Sequence, residues 1–340
     1  MVVNSNLKDR VPEISSFVVS QAKSLKDSAW QIFFGIVDDR TSVRGILRNI
    51  SRLKEEISRV NPRIVHAQYG SVTAAVANWI KGPLPLVVSF CGDDLLGTPI
   101  PGLTWRLRER GARFAGLWAA RKAAAIIVKS DNLFQALPTS LRDRVTILPN
   151  GVDISWFKPM DRESCRSKLG WSMQSKIVLF NTSRNEDQFR KNPLLVRATV
   201  DCLTQSVPDV SLRVMSDASS EEVRLMLNAA DCLLLTSLHE GSPNIVKEAM
   251  ACNLPVVSVP CGDVAERLKK TSPGQICPYD PSALAQAVQR VLLTDARSNG
   301  RDQIKEQGLT AEDVAARLVQ LYRHVLRNRT LDRQNPSYPK

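Results

Sequence analysis

The sequence predicts an α/β protein built from two doubly wound parallel sheets. Short, almost wholly apolar runs alternate with segments of helical periodicity through the first half of the chain, as expected of strands buried on both faces and joined by crossover helices. The same alternation restarts after residues 149–159, PNGVDISWFKP, a turn-bearing stretch that reads as a linker. Residues 231–260, DCLLLTSLHEGSPNIVKEAMACNLPVVSVP, then give strand, loop, helix and strand in one unbroken passage.

In chain order, strands are expected at 1–3, 31–37, 63–68, 86–90, 125–128 and 145–148. The clearest helix among them is 43–60, with Ile46, Leu47, Ile50, Leu53 and Ile57 assigned to one face. The second half offers a strand at 177–180, a helix at 193–205 and a strand at 210–215. A helix at 221–230 follows, which Ser219 and Glu222 can close as a capping box. Strands at 232–236 and 255–259 flank a helix that runs to Cys252 and ends at Asn253, an acceptable left-handed residue. Residues 311–327 form a terminal helix, and the polar tail after Asn328 is expected to be loose.

A chain of 340 residues has room for about two domains, each with its own core. Lys and Arg number 46 against 34 Asp and Glu, a net charge of +12. The balance favours an anionic partner: nucleic acid, a membrane surface or a phosphate-bearing substrate. The seven cysteines form no Cys-x-x-Cys pair and sit mostly in apolar runs, so they read as small buried hydrophobes in a reducing cytoplasm. With three scattered histidines, no metal site is expected. The first residues lack a charged-then-apolar signal pattern, and no run of 18 apolar residues occurs, which predicts a cytoplasmic protein that does not span a membrane.

The polar groups of the 231–260 passage carry chemistry. Ser242 suits an N-cap and Pro243 the first helical position. The amides of residues 242–246 then point out of a helix N-terminus, an anion site suited to phosphate. Glu240 lies just before that terminus, and Glu248 about one and a half turns inside it. Two carboxylates flanking a phosphate site suit recognition of sugar or ribose hydroxyls. A capped helix with solvated acids explains the spacing equally well.

The passage EGSPNIVKEAMACNLPVVSVPCGDVAE resembles the donor-binding segment of glycosyltransferase family 4, retaining enzymes of the GT-B fold. Acids, loop, helix and following strand agree in order, and PNGVD with its Phe-x-Pro resembles the segment that closes the family's N-terminal domain. The resemblance implies two Rossmann-like domains facing across a cleft. Residues 1–155 would bind acceptor and 156–310 a nucleotide-sugar, with 311–328 packing back on the first domain and 329–340 a loose tail. It assigns Glu240 to the transferred sugar and Glu248 to the nucleotide ribose, with Gly241, Ser242, Pro243, Asn244 and Ile245 forming the donor loop. Arg184 and Lys191 resemble the cations that neutralise the donor diphosphate. Their separation is longer than the family pattern, and Arg190 is an alternative to Lys191. Between Met215 and Cys232 there is room for one helix only, so the second domain is shorter than in many relatives. Many relatives carry a histidine where this chain has Cys91, in CGDD. Gly92 permits close backbone approach, and Asp93 or Asp94 is placed to position a sugar or acceptor hydroxyl.

His66 ends a strand; a histidine there suits general acid–base chemistry, but satisfaction by backbone is the expected state. Residues 101–122 hold five Arg, one Lys and one Glu, with Leu103, Leu107, Phe114 and Trp118 on one helical face and Trp105 nearly opposite. That composition suits an anionic membrane surface, and an ordinary half-buried helix explains its leucines too. The function implied is retaining transfer of a sugar from a nucleotide-sugar, UDP-sugar favoured, to a glycan or lipid-linked saccharide at the inner membrane face. No cofactor and no nucleic-acid partner are expected. An epimerase or hydrolase of the same fold is the nearest alternative, and a basic nucleic-acid-binding protein a more distant one.

Overall fold

The computed structural model describes the chain except residues 5–6, 9–10, 13–15, 27–29, 98–101, 184–187 and 335–340. It divides into two compact units, Met1–Gly151 with Ala311–Lys340, and Val152–Thr310.

In the first unit the strands are β1 (Val2–Asn4), a small antiparallel pair β2 (Leu7–Lys8) and β3 (Val11–Pro12), β4 (Phe34–Ile36), β5 (Val65–Gln68), β6 (Leu86–Phe90), β7 (Ala125–Val128) and β8 (Val145–Ile147). Six of them form a parallel sheet in the order β4-β1-β5-β6-β7-β8. The chain leaves β1 to one side and returns to the other, so the topological switch lies between β1 and β5. Alternation along the strands divides the core in two. Val3, Ala67, Val88 and Ile126 pack with Leu53, Ala77 and Ala119 from three crossover helices. Val87, Ala125 and Ile127 pack with Leu25, Leu318 and Tyr322, and the last two place the C-terminal helix on this sheet.

Two expectations change here. In the helix Val43–Val60, Leu53 is fully buried and Ile46, Ile50 and Ile57 pack partly, but Leu47 is 61% exposed. A residue beside Ile46 lies about 100° around the helix, off the packed face. The C-terminal helix spans Ala311–Gln334, beyond the expected end at 328. Residues 330–334, TLDRQ, contain no breaker, so the helical pattern continues through them.

The second unit contains β9 (Lys176–Ser183), β10 (Val210–Ser216), β11 (Cys232–Leu235), β12 (Val256–Ser258) and β13 (Gly274–Ile276). They form a parallel sheet in the order β10-β9-β11-β12-β13, with its switch between β9 and β11. The four residues of β11 are all buried, as a doubly covered central strand requires. One helix, Ser220–Ala229, joins β10 to β11, and Ser219 and Glu222 close its start as a capping box. The cysteines are unpaired: five are buried, while Cys91 and Cys202 are half-buried.

Candidate active site

Ligands of open parallel sheets bind outside the carboxyl ends of the strands at the switch point. In the second unit that position lies after β9 and β11. The loop after β11 is joined to the segment after β9 by main-chain bonds. Leu238 N–H donates to the Arg190 carbonyl at 2.8 Å, and the Thr236 hydroxyl donates to the Lys191 carbonyl at 2.7 Å. These bonds bring three buried charges together. Lys191 Nζ lies 2.6 Å from one Glu240 oxygen and an Arg190 guanidinium nitrogen 2.7 Å from the other. Ser237 Oγ donates to Glu240 at 3.0 Å. Burial pushes the Glu240 carboxyl up, but Lys191 and then Arg190 more than reverse this and hold it at about 2. Two cations and one carboxylate therefore meet at the strand ends where ligands of open sheets dock.

The adjoining helix spans Asn244–Ala251 with Pro243 at its N-cap, one residue later than expected from Ser242 and Pro243. Ser242 makes no cap bond because its hydroxyl accepts from Lys247 Nζ at 2.8 Å. Lys247 is 1% exposed in the first turn of this helix, where a cation opposes the dipole. Asp263 offsets that cost: it faces Lys247 and Ser242, and its carboxylate pairs with Arg267 at 3.1 Å. The Gly241 carbonyl accepts from Asp263 N–H at 3.1 Å. Gly262, at φ +57°, lets that loop approach; a Cβ there would meet the Gly241 carbonyl at 2.3 Å. Glu248 is half-buried, and burial pushes its carboxyl up to about 7 against the nearby Lys247. Asn253 takes the left-handed conformation at φ +55°.

Thus Glu240, Gly241, Ser242, Pro243, Asn244, Ile245 and Glu248 lie on one loop and helix, with Lys191 and Arg190 bonded to its acid. Arg184 falls outside the described residues. Sequence reasoning missed Ser237, Lys247 and Asp263. A lysine in the first turn of a buried helix was the available signal for the last two.

In the first unit, Asp94 is buried at the end of β6 and its carboxylate accepts from the N–H groups of Gly70 at 2.6 Å, Cys91 at 2.9 Å and Gly92 at 2.8 Å. Burial nevertheless pushes Asp94 up to about 6. Its grip holds a turn in which Tyr69 and Ser71 have φ of +128° and +57°, conformations that persist only when neighbours impose them. Gly92 has φ +153°. Asp93 is half-buried beside it and makes none of these clamp bonds. Burial pushes the Cys91 thiol up to about 12, so it stays neutral. His66 is satisfied by side chains, Tyr322 Oη at 2.5 Å and Ser89 Oγ at 2.7 Å, and not by backbone as expected. Among the described residues no cluster of His, Cys, Asp and Glu has the makings of a metal site.

The profile of the family described as Glycosyltransferase Family 4 matches residues 24–156, and that of Glycosyl transferases group 1 matches residues 199–294, together about two thirds of the chain. The chain belongs to this glycosyltransferase family. Among curated relatives of this glycosyltransferase is the putative teichuronic acid biosynthesis glycosyltransferase TuaC of Bacillus subtilis, 23% identical over 67% of this chain and 61% of that protein. A D-inositol 3-phosphate glycosyltransferase of Paenarthrobacter aurescens is 23% identical over 71% of this chain and 68% of its own length. The chain therefore spans just under two thirds of TuaC. Of solved structures, sucrose-phosphate synthase from Thermosynechococcus elongatus superposes with a TM-score of 0.75 at 16% identity, covering 96% of this chain and 99% of that one. Anabaena Alr3699/HepE in complex with UDP and glucose gives 0.68 at 16% identity, covering 94% and 98%. These likenesses establish the fold, two Rossmann-like α/β units.

Proposed function

We propose that this glycosyltransferase moves a sugar from a nucleoside diphosphate sugar, UDP-sugar favoured, to an acceptor hydroxyl with retention of configuration. The observation that carries the reading is the buried Glu240 kept ionised by Lys191 and Arg190 beside the N-terminus of the helix Asn244–Ala251. An ionised carboxylate accepts hydroxyls of the transferred sugar, while Lys191, Arg190 and the helix amides meet the diphosphate, whose charge grows as the glycosidic bond breaks. Glu248, protonated or ionised near neutrality, is suited to two ribose hydroxyls. The leaving phosphate helps to deprotonate the acceptor, so no separate protein base is required. Arg184 is assigned to the same diphosphate on the family pattern alone, and Asp93 to a sugar or acceptor hydroxyl. UDP is favoured because a protein of the same fold, HepE, was solved with UDP-glucose.

The acceptor is read as a lipid-linked or cell-surface saccharide. TuaC, a relative, is described as acting in teichuronic acid biosynthesis. The exposed stripe on the helix Leu103–Arg121 supports a site at an anionic membrane face. Leu103, Leu107 and Phe114 are 74%, 57% and 65% exposed, and Trp79, also exposed, lies 6.4 Å from Trp118. Three members of the expected apolar face therefore point outward among Arg106, Arg108, Arg110 and Arg113, while the fourth, Trp118, packs half-buried against the core and Trp105 is half-buried on the other side. Exposed apolar residues among arginines support an interfacial reading of the first half of this helix, while Gly116, Ala119 and Ala120 bury its second half.

A thermal-shift series with UDP, GDP and ADP, followed by product analysis with the matching sugar nucleotides, tests the reading. Stabilisation by one diphosphate and transfer insensitive to EDTA are expected. Indifference to all three, or Mg²⁺-reversible loss of activity, overturns it. Free sugar or an epimer as the product with acceptor present transfers the site to the hydrolase or epimerase alternative.

A further inference from the structure

Among the described residues of the first unit, one buried lysine makes no hydrogen bond through its ammonium group. Lys129 directly follows β7 at its carboxyl end and is 1% exposed. Its Nζ has no hydrogen-bond partner. An ammonium in that position is costly unless paired, and native proteins pair such groups or shift them to neutrality.

The neighbouring groups among the described residues act on it electrostatically but make no hydrogen bond to it. Lys129 lies one residue beyond the paired residues Phe90 and Val128, so it sits beside Cys91 at the end of β6. The Cys91 thiol is neutral, pushed up by burial. Asp94 is the nearest carboxylate, and its oxygens are occupied by the amides of Gly70, Cys91 and Gly92. His66, on the same face of the sheet, is held neutral by burial and by the positive charge of Lys129. Burial, partly offset by Cys91 and Asp94, also lowers Lys129 itself. Solvent is near, because Cys91 and Asp93 in the adjacent loop are half-buried.

We propose that Lys129 is an anchor for an anionic group of the acceptor, a carboxylate or a phosphate, bound at the carboxyl ends of β6 and β7. The assignment rests on the glycosyltransferase reading for the word acceptor; the anion site itself does not. A strand end in an open sheet is where such ligands dock, and an incoming oxyanion supplies the missing charge partner at the atom that lacks one. A uronic acid and a phosphate-linked saccharide are two sources of the same chemistry.

The test uses the full chain and compares wild type with Lys129→Met, which has similar length and no charge, and with Lys129→Arg, which keeps the charge. Thermal shifts are read with inorganic phosphate, glucuronate, glucose and UDP. Wild type should be stabilised by phosphate or by glucuronate, which identifies the source, and not by glucose. Lys129→Met should lose that response at least tenfold in apparent affinity and retain the UDP response, whereas Lys129→Arg should keep part of it. Ligand-free Lys129→Met should melt above wild type, since an unpaired buried ammonium is removed; a merely structural lysine predicts the reverse. No anion response in wild type, an unchanged response in Lys129→Met, or a lower melting temperature for that variant overturns the proposal. Loss of the UDP response in wild type instead overturns the glycosyltransferase reading and leaves the anion result standing.

Discussion

Asp94 in the first unit and Glu240 in the second are both buried carboxylates just beyond a central parallel strand, and their surroundings treat them in opposite ways. Three backbone amides accommodate Asp94, whereas Lys191, Arg190 and one hydroxyl accommodate Glu240. Amide dipoles do not fully repay the desolvation of Asp94, which rises to about 6. Two full charges over-repay that of Glu240, which falls to about 2. A carboxylate that binds only amides fixes a backbone turn. One that binds cations shares them with whatever anion arrives. The difference separates a structural clamp from a group equipped for chemistry.

The largest test of this contrast removes each acid. Glu240→Ala removes the carboxylate that Lys191 and Arg190 share and should cost about 3–5 kcal/mol in stability together with transfer activity. Asp94→Asn keeps one acceptor for its amides and should cost about 1–3 kcal/mol. Denaturant titration of both variants checks the order, and a larger loss in Asp94→Asn would reverse the assignment of clamp and site.

Next in size are the cations. Lys191→Ala or Arg190→Ala should reduce turnover by about 2–4 kcal/mol of transition-state stabilisation, with a smaller effect on donor affinity. Lys191→Arg should recover part of the loss and Lys191→Gln none. Full activity in Lys191→Ala with an inactive Arg190→Ala would assign the diphosphate to Arg190 alone.

The two acids also predict opposite pH slopes. Glu240 has a folded pKa below its unfolded value, so its contribution is present above about pH 4.5 and is lost as pH falls toward 2. Asp94 and Glu248 have folded pKa values raised to about 6 and about 7, so stability falls as pH rises through the range from about 4 to 7. Each group contributes on the order of 3 kcal/mol, so the upper limb, which carries two, is about twice the lower one. Glu248→Gln and Asp94→Asn should flatten the upper limb and Glu240→Gln the lower one; unfolding midpoints from pH 2 to 8 decide. A nucleotide that bonds Glu248 as a carboxylate should also shift its titration downward.

The smallest effect lies on the surface. Arg108→Ala alone should weaken binding to anionic vesicles by about 1 kcal/mol, more at low salt than at high, with UDP binding unchanged. Vesicle co-sedimentation reads it, and salt-independent binding would remove the membrane reading of the first unit.

Much of this arrangement was legible in the chain. Apolar runs such as CLLL and AIIV have one stable use, a strand covered on both faces, and so the alternation determined the two sheets. The capping box at Ser219 and the left-handed Asn253 were local matters that neighbouring residues decide. The start of the donor helix was read one residue early because Ser242 has a competing partner, Lys247, that no local rule supplies. Leu103, Leu107 and Phe114 showed a face, but periodicity does not say whether a face meets a core or solvent.

The sequence by itself determined the strand and helix order, the acidic pair Glu240 and Glu248 on one loop and helix, and the excess of positive charge, because each follows from neighbours a few residues apart. Tertiary structure decided which charges meet. Lys191 reaches Glu240 across 49 positions, Asp94 clamps a turn 24 residues earlier, and Lys129 stands beside a thiol that cannot ionise. Strand order brings these groups together, and their desolvation fixes protonation, so neither result can be read from separations along the chain.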